Sequence, residues 1–268
     1  MADTTQSEIL NKFRLPLLKQ IIDSLELQPE TKGMDIGCGI GQITQLLAQR
    51  VGNKSEIIGL DFSHENIAYA KRNLKRENIE FLKGDINNLF FSENTFDWIF
   101  CMDTLWVGPK EYGCPTKDPY PILQKLNSML KPGGRIYLAY WTSQKFLPGY
   151  PLLEARLNTT PSANAPYQEE MPKEYHVMNA RKWLSKAGFD KINATTFVGN
   201  INGPLQENDK KSLALLFEML WGDSKDEVSK KDWHTYTKLC RLESKDFLPN
   251  DSDYHGFYTY SVFEATKM

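Results

Sequence analysis

Two hydrophobic patterns alternate along this chain. Short, mostly apolar runs predict strands, and the segments between them carry apolar residues every three or four positions, which predicts amphipathic helices. The predicted strands occupy a run that begins at residue 33 and the ranges 56–60, 79–82, 95–102, 135–141, 191–197 and 255–265. The predicted helices occupy 7–26, 43–51, 63–74, 120–130 and 179–186. Strands that alternate with helices at this interval predict an α/β fold with a doubly wound, mainly parallel sheet.

The first predicted strand runs directly into a glycine turn, with Gly37, Gly39 and Gly41 at alternate positions before the next helix. Glycine suits such a turn because it accepts backbone dihedrals closed to other residues and lets a ligand approach the backbone. A strand, a tight glycine turn and a helix N-terminus together predict a site for a nucleotide-like ligand at the carboxyl edge of the sheet. The spacing argues against a dehydrogenase, because a dinucleotide site needs G-x-G-x-x-G and here Gln42 fills the final position.

Asp61 ends the second predicted strand, about twenty residues after the glycines, where folds of this kind bind the two ribose hydroxyls of a nucleotide. The alternative is that Asp61 only caps the following helix. Ser63 is better placed for capping. We therefore favour the ribose role for Asp61.

Composition and charge restrict the class of protein. With 41% hydrophobic and 25% charged residues among 268, the chain is typical of a soluble globular protein. The net charge of −2 provides no field that would attract nucleic acid or an anionic membrane. The four cysteines form no CxxC pair, so neither a metal site nor a disulfide framework is expected. The first residues lack a secretory signal pattern and no apolar run is long enough to span a bilayer, so we expect a cytoplasmic protein.

Five short motifs occur in order between residues 30 and 141. They are Met34–Gly41, Gly59–Ser63, Gly84–Ile86, Phe96–Phe100 and Leu130–Gly134. With these motifs the chain resembles the class I S-adenosylmethionine-dependent methyltransferases, in particular the small-molecule group that includes quinone-biosynthesis methyltransferases. Residues 183–189 add a weaker match, whereas residues 104–107 depart from the pattern, since many relatives carry a histidine after the fourth strand. The resemblance implies a Rossmann-like sheet of seven strands whose last strand is antiparallel.

The resemblance also implies a cofactor, S-adenosylmethionine, and the residues that contact it. The amino-acid end is expected at Asp35 and at the backbone of the glycine turn, which includes Cys38. The ribose is expected at Asp61. Phe62 would pack on the adenine, and Asp85 with the Ile86 amide would bind its polar edge. Cys101 would line the floor near the methionine portion, and a small buried apolar side chain is compatible with that placement.

The implied domain is a single unit, residues 1–268. Residues 1–29 form a leading helix that either covers a sheet edge or gates the cofactor, with Phe13 as the expected contact. Residues 30–141 bind the cofactor. Residues 142–173, rich in proline, tyrosine and asparagine, and residues 201–252, with two helical patterns, are expected to form lids around the acceptor.

The acceptor side is expected to be aromatic. The side chains assigned to it are Trp106, Tyr140, Tyr150, Tyr175 and Trp221, although aromatic residues at such spacing are more often core. Methyl transfer depends chiefly on in-line positioning of the acceptor, so a base matters only if the acceptor must lose a proton. His176 and Asp103 are weak candidates for that base, and a surface position is the more common role for such a histidine.

The resulting expectation is an enzyme that transfers a methyl group to oxygen, nitrogen or carbon of a small molecule. Two alternatives remain: a non-catalytic scaffold that retains the fold, and a methyltransferase that acts on a protein or RNA. An intact glycine turn with Asp61 and Asp85 argues against a scaffold, which would not need them. The absence of a basic tract argues against nucleic acid. The oligomeric state is left open.

Overall fold

The computed structural model describes residues 4–165, 167 and 171–268. The strands are β1 Lys32–Ile36, β2 Glu56–Asp61, β3 Ile79–Lys83, β4 Phe96–Met102, β5 Leu130–Lys145, β6 Phe189–Asn202 and β7 His255–Lys267. The helices are α1 Thr4–Ser24, α2 Gln42–Val51, α3 His64–Asn73, α4 Tyr120–Met129, α5 Pro151–Asn158, α6 Pro161–Asn164, α7 Ala180–Lys186, α8 Glu207–Trp221 and α9 Lys230–Cys240. Every predicted helix and strand is present, with ends that differ by a few residues.

The strands form one sheet of seven in the order β3-β2-β1-β4-β5-β7-β6. The pairs β1–β2, β1–β4, β2–β3 and β4–β5 are parallel, whereas β7 is antiparallel to both β5 and β6. The expected fold, a doubly wound and mainly parallel sheet with an antiparallel last strand, is confirmed. The chain builds β1 to β3 outward in one direction and then returns to place β4 on the other side of β1, so the order reverses between β1 and β4.

Strand β5 is longer than its apolar pattern predicted. The prediction ended at Trp141, but pairing with β7 continues as far as Lys145, which lies opposite Phe257. Residues 142–145 therefore belong to the sheet and not to the first insertion. A partner strand of 13 residues can extend β5 in this way because backbone hydrogen bonds, and not side-chain polarity, hold the added segment.

Apolar side chains cover both faces of the sheet. On one face, Leu17 and Ile21 of α1 pack with Leu47 of α2 and with Phe217 and Trp221 of α8. On the other face, buried side chains of α4 and α7, among them Leu123, Leu126, Trp183 and Leu184, pack against β4 and β5. The core thus includes the leading helix and the second insertion as well as the regular helices.

The two insertions pack on each other. Arg156 of α5 donates to both carboxylate oxygens of Asp232 in α9, at 2.9 and 2.7 Å. Trp221 at the end of α8 donates its indole N–H to Asn158 Oδ1 at 2.9 Å. These contacts join α5, α8 and α9 into one layer beside the carboxyl end of β5. Within the described part of the chain, no helix is long and apolar enough to cross a membrane.

Candidate functional site

A cavity of about 1280 Å³ opens at the carboxyl ends of the strands. Its wall includes Ile36 from β1, Asp61 from β2 and Met102 from β4, and it continues to Trp141 and Lys145 of β5. The cavity lies where the strand order reverses between β1 and β4, and ligands bind at such a reversal in open α/β sheets. Helix α1 and the insertion layer supply the opposite walls.

The glycine turn has the dihedrals that only glycine accepts without strain. The φ angles of Gly37, Gly39 and Gly41 are 74°, 53° and 83°. A side chain at Gly37 would collide with Thr104, and one at Gly41 would meet Phe81 at 2.7 Å. A side chain at Gly39 would meet no protein atom within 4 Å, and Gly39 lines the cavity. The outer glycines are therefore required by packing, and the central one leaves room for a ligand.

Asp61 lines the cavity and also connects the glycine turn to α3. Its Oδ2 accepts the backbone N–H of Gly39 at 2.9 Å. Its Oδ1 accepts from the Ser63 N–H at 2.9 Å and from Asn66 Nδ2 at 3.3 Å. Ser63 is the capping residue of α3, as expected, because its hydroxyl accepts the N–H of Asn66. Asp61 is therefore not limited to capping, since its carboxylate stands at the cavity wall beside the turn.

Phe62, Asp85 and Ile86 follow along the same wall. The Phe62 ring lines the cavity and is 57% exposed, so one of its faces is open to a ligand. The Asp85 carboxylate accepts from the backbone and side-chain nitrogens of Asn87, both at 2.9 Å. Asp61, Phe62 and Asp85 thus form a continuous series from the glycine turn outward. Cys38 also lines the cavity next to the turn.

Three residues expected to contact the cofactor lie behind the cavity wall. Asp35 is buried beneath the glycine turn, and its Oδ2 accepts the hydroxyl of Thr44 at 2.6 Å. Burial, opposed by the Thr44 hydrogen bond, raises the pKa of Asp35 to about 7. Cys101 is buried within β4, and burial raises its pKa to about 12. Gly41 packs on Phe81. Asp35 and Cys101 thus lie within the sheet, and Gly41 closes the turn against Phe81.

An ion pair at the cavity wall was not foreseen from the sequence. Arg14 of α1 donates through Nη1 to the Tyr260 hydroxyl at 2.6 Å and lies 3.5 Å from Asp103 Oδ2. Tyr260 in turn donates to Asp103 Oδ2 at 2.6 Å. Asp103 Oδ1 accepts the backbone N–H of Trp141 at 3.0 Å. Burial raises the pKa of Asp103, while the charge of Arg14 and the hydrogen bond from Tyr260 oppose that rise.

The signal for Arg14 was present in the helical pattern. Arg14 falls between Leu10 and Leu18 on the buried stripe of α1, where a charged residue needs a specific partner. Phe13, the expected cofactor contact, instead stacks on Tyr258 with ring centroids 5.7 Å apart. The contact that α1 makes with the cavity comes from Ser7, Leu10, Asn11 and Arg14.

His176 lines the cavity but is poorly arranged to act as a base. Its Nδ1 accepts the N–H of Met178 at 3.2 Å, so the neutral ring carries its proton on Nε2. Burial lowers the pKa of His176, which keeps the ring neutral near pH 7. The Nε2–H can donate a hydrogen bond but has no free lone pair for a proton. Trp106 and Tyr167 flank this region, with Tyr167 and His176 ring centroids 4.4 Å apart.

The remaining aromatic residues assigned to the acceptor do not line the cavity. Tyr140 is buried and donates to the Leu105 carbonyl at 3.1 Å. Trp221 is buried between Phe217 and Tyr236. Tyr150 sits exposed at the start of α5, and Tyr175 packs beside Tyr120. Tyr140 and Trp221 thus have the core role that their spacing also allowed.

No group of three or more histidine, cysteine, aspartate or glutamate side chains that could hold a metal ion occurs within residues 4–165, 167 and 171–268. The four cysteines are buried and unpaired.

A family model described as a methyltransferase domain matches residues 27–188. A demethylmenaquinone methyltransferase of Staphylococcus epidermidis is 32% identical over 131 residues, which cover 48% of this chain and 51% of that protein. One from Shouchella clausii is 32% identical over 133 residues, covering 48% and 53%. The aligned part of the chain thus spans about half the length of the curated relatives it matches.

Solved structures match over nearly the whole chain. A S-adenosylmethionine-dependent methyltransferase from Aquifex aeolicus has a TM-score of 0.54 at 16% identity and covers 100% of both chains. Phosphoethanolamine N-methyltransferase 2 of Haemonchus contortus, solved with phosphomonomethylethanolamine and S-adenosylhomocysteine, has a TM-score of 0.52 at 18% identity, covering 98% of this chain and 57% of that one. At this level of identity the matches establish the fold.

Proposed function

The chain belongs to the methyltransferase domain family, and from that premise we propose that it transfers the methyl group of S-adenosylmethionine to a small-molecule acceptor and releases S-adenosylhomocysteine. One observation carries the proposal. The cavity at the strand-order reversal brings the glycine turn, Asp61, Phe62 and Asp85 into one series and leaves further space beyond them. Each member of the series has a chemical counterpart in the cofactor.

The residues present fit the cofactor. Asp61 presents two carboxylate oxygens at the wall, which suit the paired hydroxyls of a ribose. The exposed Phe62 ring offers a flat apolar surface for the adenine, and Asp85 with Ile86 offers polar groups for its edge. The open space at Gly39 lets the ligand approach the backbone of the turn closely. Bound there, the cofactor supplies a methyl group that is activated on a sulfonium.

The rest of the cavity is assigned to the acceptor. Ligand pockets are typically about 300–1,000 Å³, and this cavity, at about 1280 Å³, has room for two molecules. Trp106 and Tyr167 provide apolar ring surfaces, and the Nε2–H of His176 donates a hydrogen bond that orients a polar acceptor group. The role of these residues is to align the acceptor with the methyl group while excluding water. His176 is a positioning donor in this proposal.

Several features favour a small molecule over a macromolecule. The insertion layer and α1 border the cavity, and residues of both insertions line it, including Asn158 and Leu220. We assign the described parts of the two insertions that lie outside the sheet, 146–165 and 203–252, the role of covering the acceptor. The net charge of −2 provides no attraction for nucleic acid. The curated relatives are demethylmenaquinone methyltransferases by name, which also favours a small acceptor.

The test has two steps. Calorimetric titration with S-adenosylhomocysteine should show one binding site, and undetectable binding would favour a non-catalytic scaffold. Incubation with methyl-labelled S-adenosylmethionine and a cell extract should then put label in the low-mass fraction. The Asp61→Ala variant is the matched control and should transfer little label. Label found mainly in protein or RNA would contradict a small-molecule acceptor while leaving methyl transfer intact.

A further inference from the structure

We propose that Arg14 and Asp103 form the subsite for the amino-acid end of the cofactor. The Arg14 guanidinium binds the α-carboxylate of the methionine portion, and the Asp103 carboxylate binds its α-ammonium group. This inference rests on the proposed function, because it requires that S-adenosylmethionine occupies the cavity. It replaces the sequence-based assignment of that end of the cofactor to Asp35.

The position of the ion pair fits the length of the cofactor. Asp103 follows β4 directly, and its neighbour Thr104 packs on Gly37 and donates to the Ile36 carbonyl at 3.3 Å. The pair therefore stands at the Gly37 end of the turn, whereas Asp61 is bonded to Gly39. A molecule whose ribose lies at Asp61 would cross the turn to reach the pair. In the cofactor, the sulfur joins the ribose to the amino-acid chain, so the two ends can reach Asp61 and the ion pair at the same time.

The chemistry of the pair matches a zwitterion. An α-amino acid group carries one carboxylate and one ammonium a short distance apart, and the cavity wall presents one cation and one anion side by side. The accessible fractions of the two side chains are 18% for Arg14 and 26% for Asp103, and both residues line the cavity. Partly buried charges interact more strongly with a ligand than charges in bulk water.

Both side chains keep hydrogen-bonding capacity. Arg14 has five N–H donors, and its described partners are Tyr260, Asp103 and Asn11. Its Nε is buried and has no partner among the described residues. An ionised carboxylate has about four acceptor sites. Among the described groups, Asp103 Oδ1 accepts only the backbone N–H of Trp141. Unused hydrogen-bonding capacity in a partly buried charged pair leaves donors and acceptors free for a ligand.

The backbone and Tyr260 hold Asp103 in place. The φ angle of Asp103 is 47°, a left-handed value that is uncommon for residues other than glycine. Strained residues of this kind cluster at ligand sites, where the surrounding structure maintains them. The Tyr260 hydroxyl bridges Arg14 and Asp103. Asp35, by contrast, is buried beneath the glycine turn, where it is bonded to Thr44, and does not line the cavity. Its pKa of about 7 also leaves it only partly charged at neutral pH.

The test compares two ligands that differ only at the amino-acid end. S-adenosylhomocysteine carries this group, whereas 5′-methylthioadenosine has the same adenosine and thioether without it. Calorimetry should show that Arg14→Gln and Asp103→Asn each weaken S-adenosylhomocysteine binding roughly tenfold to a hundredfold, the range for hydrogen bonds to charged groups. Binding of 5′-methylthioadenosine should stay within about twofold. Lys19→Gln, on an exposed position of the same helix, is the control and should change neither affinity.

A third ligand separates the two roles. Decarboxylated S-adenosylmethionine keeps the ammonium but lacks the carboxylate, so Arg14→Gln should leave its affinity unchanged while Asp103→Asn should lower it. If either variant fails to fold, Tyr260→Phe provides the measurement. This variant keeps the buried ring and removes the bridging hydroxyl. It should lower the affinity for S-adenosylhomocysteine several-fold and leave the affinity for 5′-methylthioadenosine unchanged.

Equal weakening of all ligands, or no weakening of S-adenosylhomocysteine, would overturn the inference and leave Arg14 as a structural link between α1 and the sheet. A wild-type protein that binds 5′-methylthioadenosine and S-adenosylhomocysteine equally would overturn it as well. A wild-type protein that binds neither ligand would overturn the proposed function itself.

Discussion

Asp61 lines the cavity and also accepts hydrogen bonds from neighbouring segments, so a single substitution removes both contributions at once. Its carboxylate faces the cavity, and the same two oxygens hold the Gly39 N–H, the Ser63 N–H and the Asn66 side chain. An aspartate at a strand end ordinarily contributes little core burial, so its loss would be expected to cost little stability. The hydrogen bonds change that expectation, because a buried N–H left without an acceptor costs free energy.

We expect Asp61→Ala to weaken S-adenosylhomocysteine binding on the order of a hundredfold, since two charged hydrogen bonds of about 1.5–3 kcal/mol are lost. The melting temperature should fall as well. Ser63→Ala is the matched control, because it removes the α3 cap at a typical cost of about 1 kcal/mol and leaves the cavity carboxylate in place. Calorimetry and thermal melting measure both effects. Unchanged affinity in Asp61→Ala with a lowered melting temperature would contradict the ribose assignment.

Asp35 links stability to pH. Burial raises its pKa to about 7, above the value near 3.9 expected in an unfolded chain. The folded state therefore binds the proton more tightly than the unfolded state. The stabilising contribution of the protonated group is complete below about pH 4 and is lost as the pH rises through 7.

We expect the free energy of unfolding of the wild type, measured relative to Asp35→Asn, to fall between pH 4 and pH 8 by a few kcal/mol, since one pKa unit corresponds to about 1.4 kcal/mol. The asparagine keeps the shape and does not titrate, so other groups cancel in the difference. Urea unfolding at several pH values without cofactor gives the measurement. A difference that is flat with pH, or that rises, would show that Asp35 stays ionised in the folded protein.

At the scale of elements, the glycine turn separates packing from ligand access. Gly41 packs on Phe81, and Gly39 borders open space in the cavity wall. Both have left-handed φ values, so each would pay about 1–2 kcal/mol for a side chain on the backbone alone. Of the two positions, only Gly41 would also bring an added side chain into collision with the protein, at Phe81.

We expect Gly39→Ala to lower S-adenosylhomocysteine affinity at least tenfold with a modest loss of stability, because its methyl group would project toward the ligand. Gly41→Ala should lose clearly more stability, because its methyl group meets a buried ring. Urea unfolding and calorimetry on the two variants provide the comparison. The opposite order of stability, or an unchanged affinity in Gly39→Ala, would show that the ligand does not approach the turn.

At the scale of the whole molecule, one hydrophobic cluster joins the leading helix, one face of the sheet and the second insertion. Leu17, Phe100, Phe217, Trp221 and Tyr236 all belong to it. Elements that share a core are expected to unfold together. The sequence-based description of residues 1–268 as a single domain is therefore a testable statement about cooperativity.

We expect Trp221→Ala to lower the stability of the entire protein by about 3–5 kcal/mol, the usual cost of removing a buried tryptophan. The loss should appear as one shifted transition in circular dichroism and in tryptophan fluorescence. Met219→Ala, on an exposed position of the same helix, should change stability little. Two separate transitions, with only one of them shifted, would show that the insertion layer folds independently of the sheet.

The sequence by itself determined the succession of strands and helices along the chain, the glycine turn and the position of Asp61 at the end of the second strand. These features depend on local rules. Alternating apolar patterns reflect which faces of a strand or helix are buried, and a strand followed by alternating glycines leaves few backbone conformations. The antiparallel last strand and the cofactor came from five motifs in register, and the fold they implied is the one observed.

Only the tertiary structure decided which polar groups meet at the cavity. Arg14, Asp103 and Tyr260 come from α1, the end of β4 and β7, so their contact depends on how distant segments pack. The same packing put Asp35 behind the glycine turn and Trp221 into the core. Residue type and spacing cannot distinguish a carboxylate at a cavity wall from one a layer below it, because burial on each side of a strand end is set by the elements that cover it.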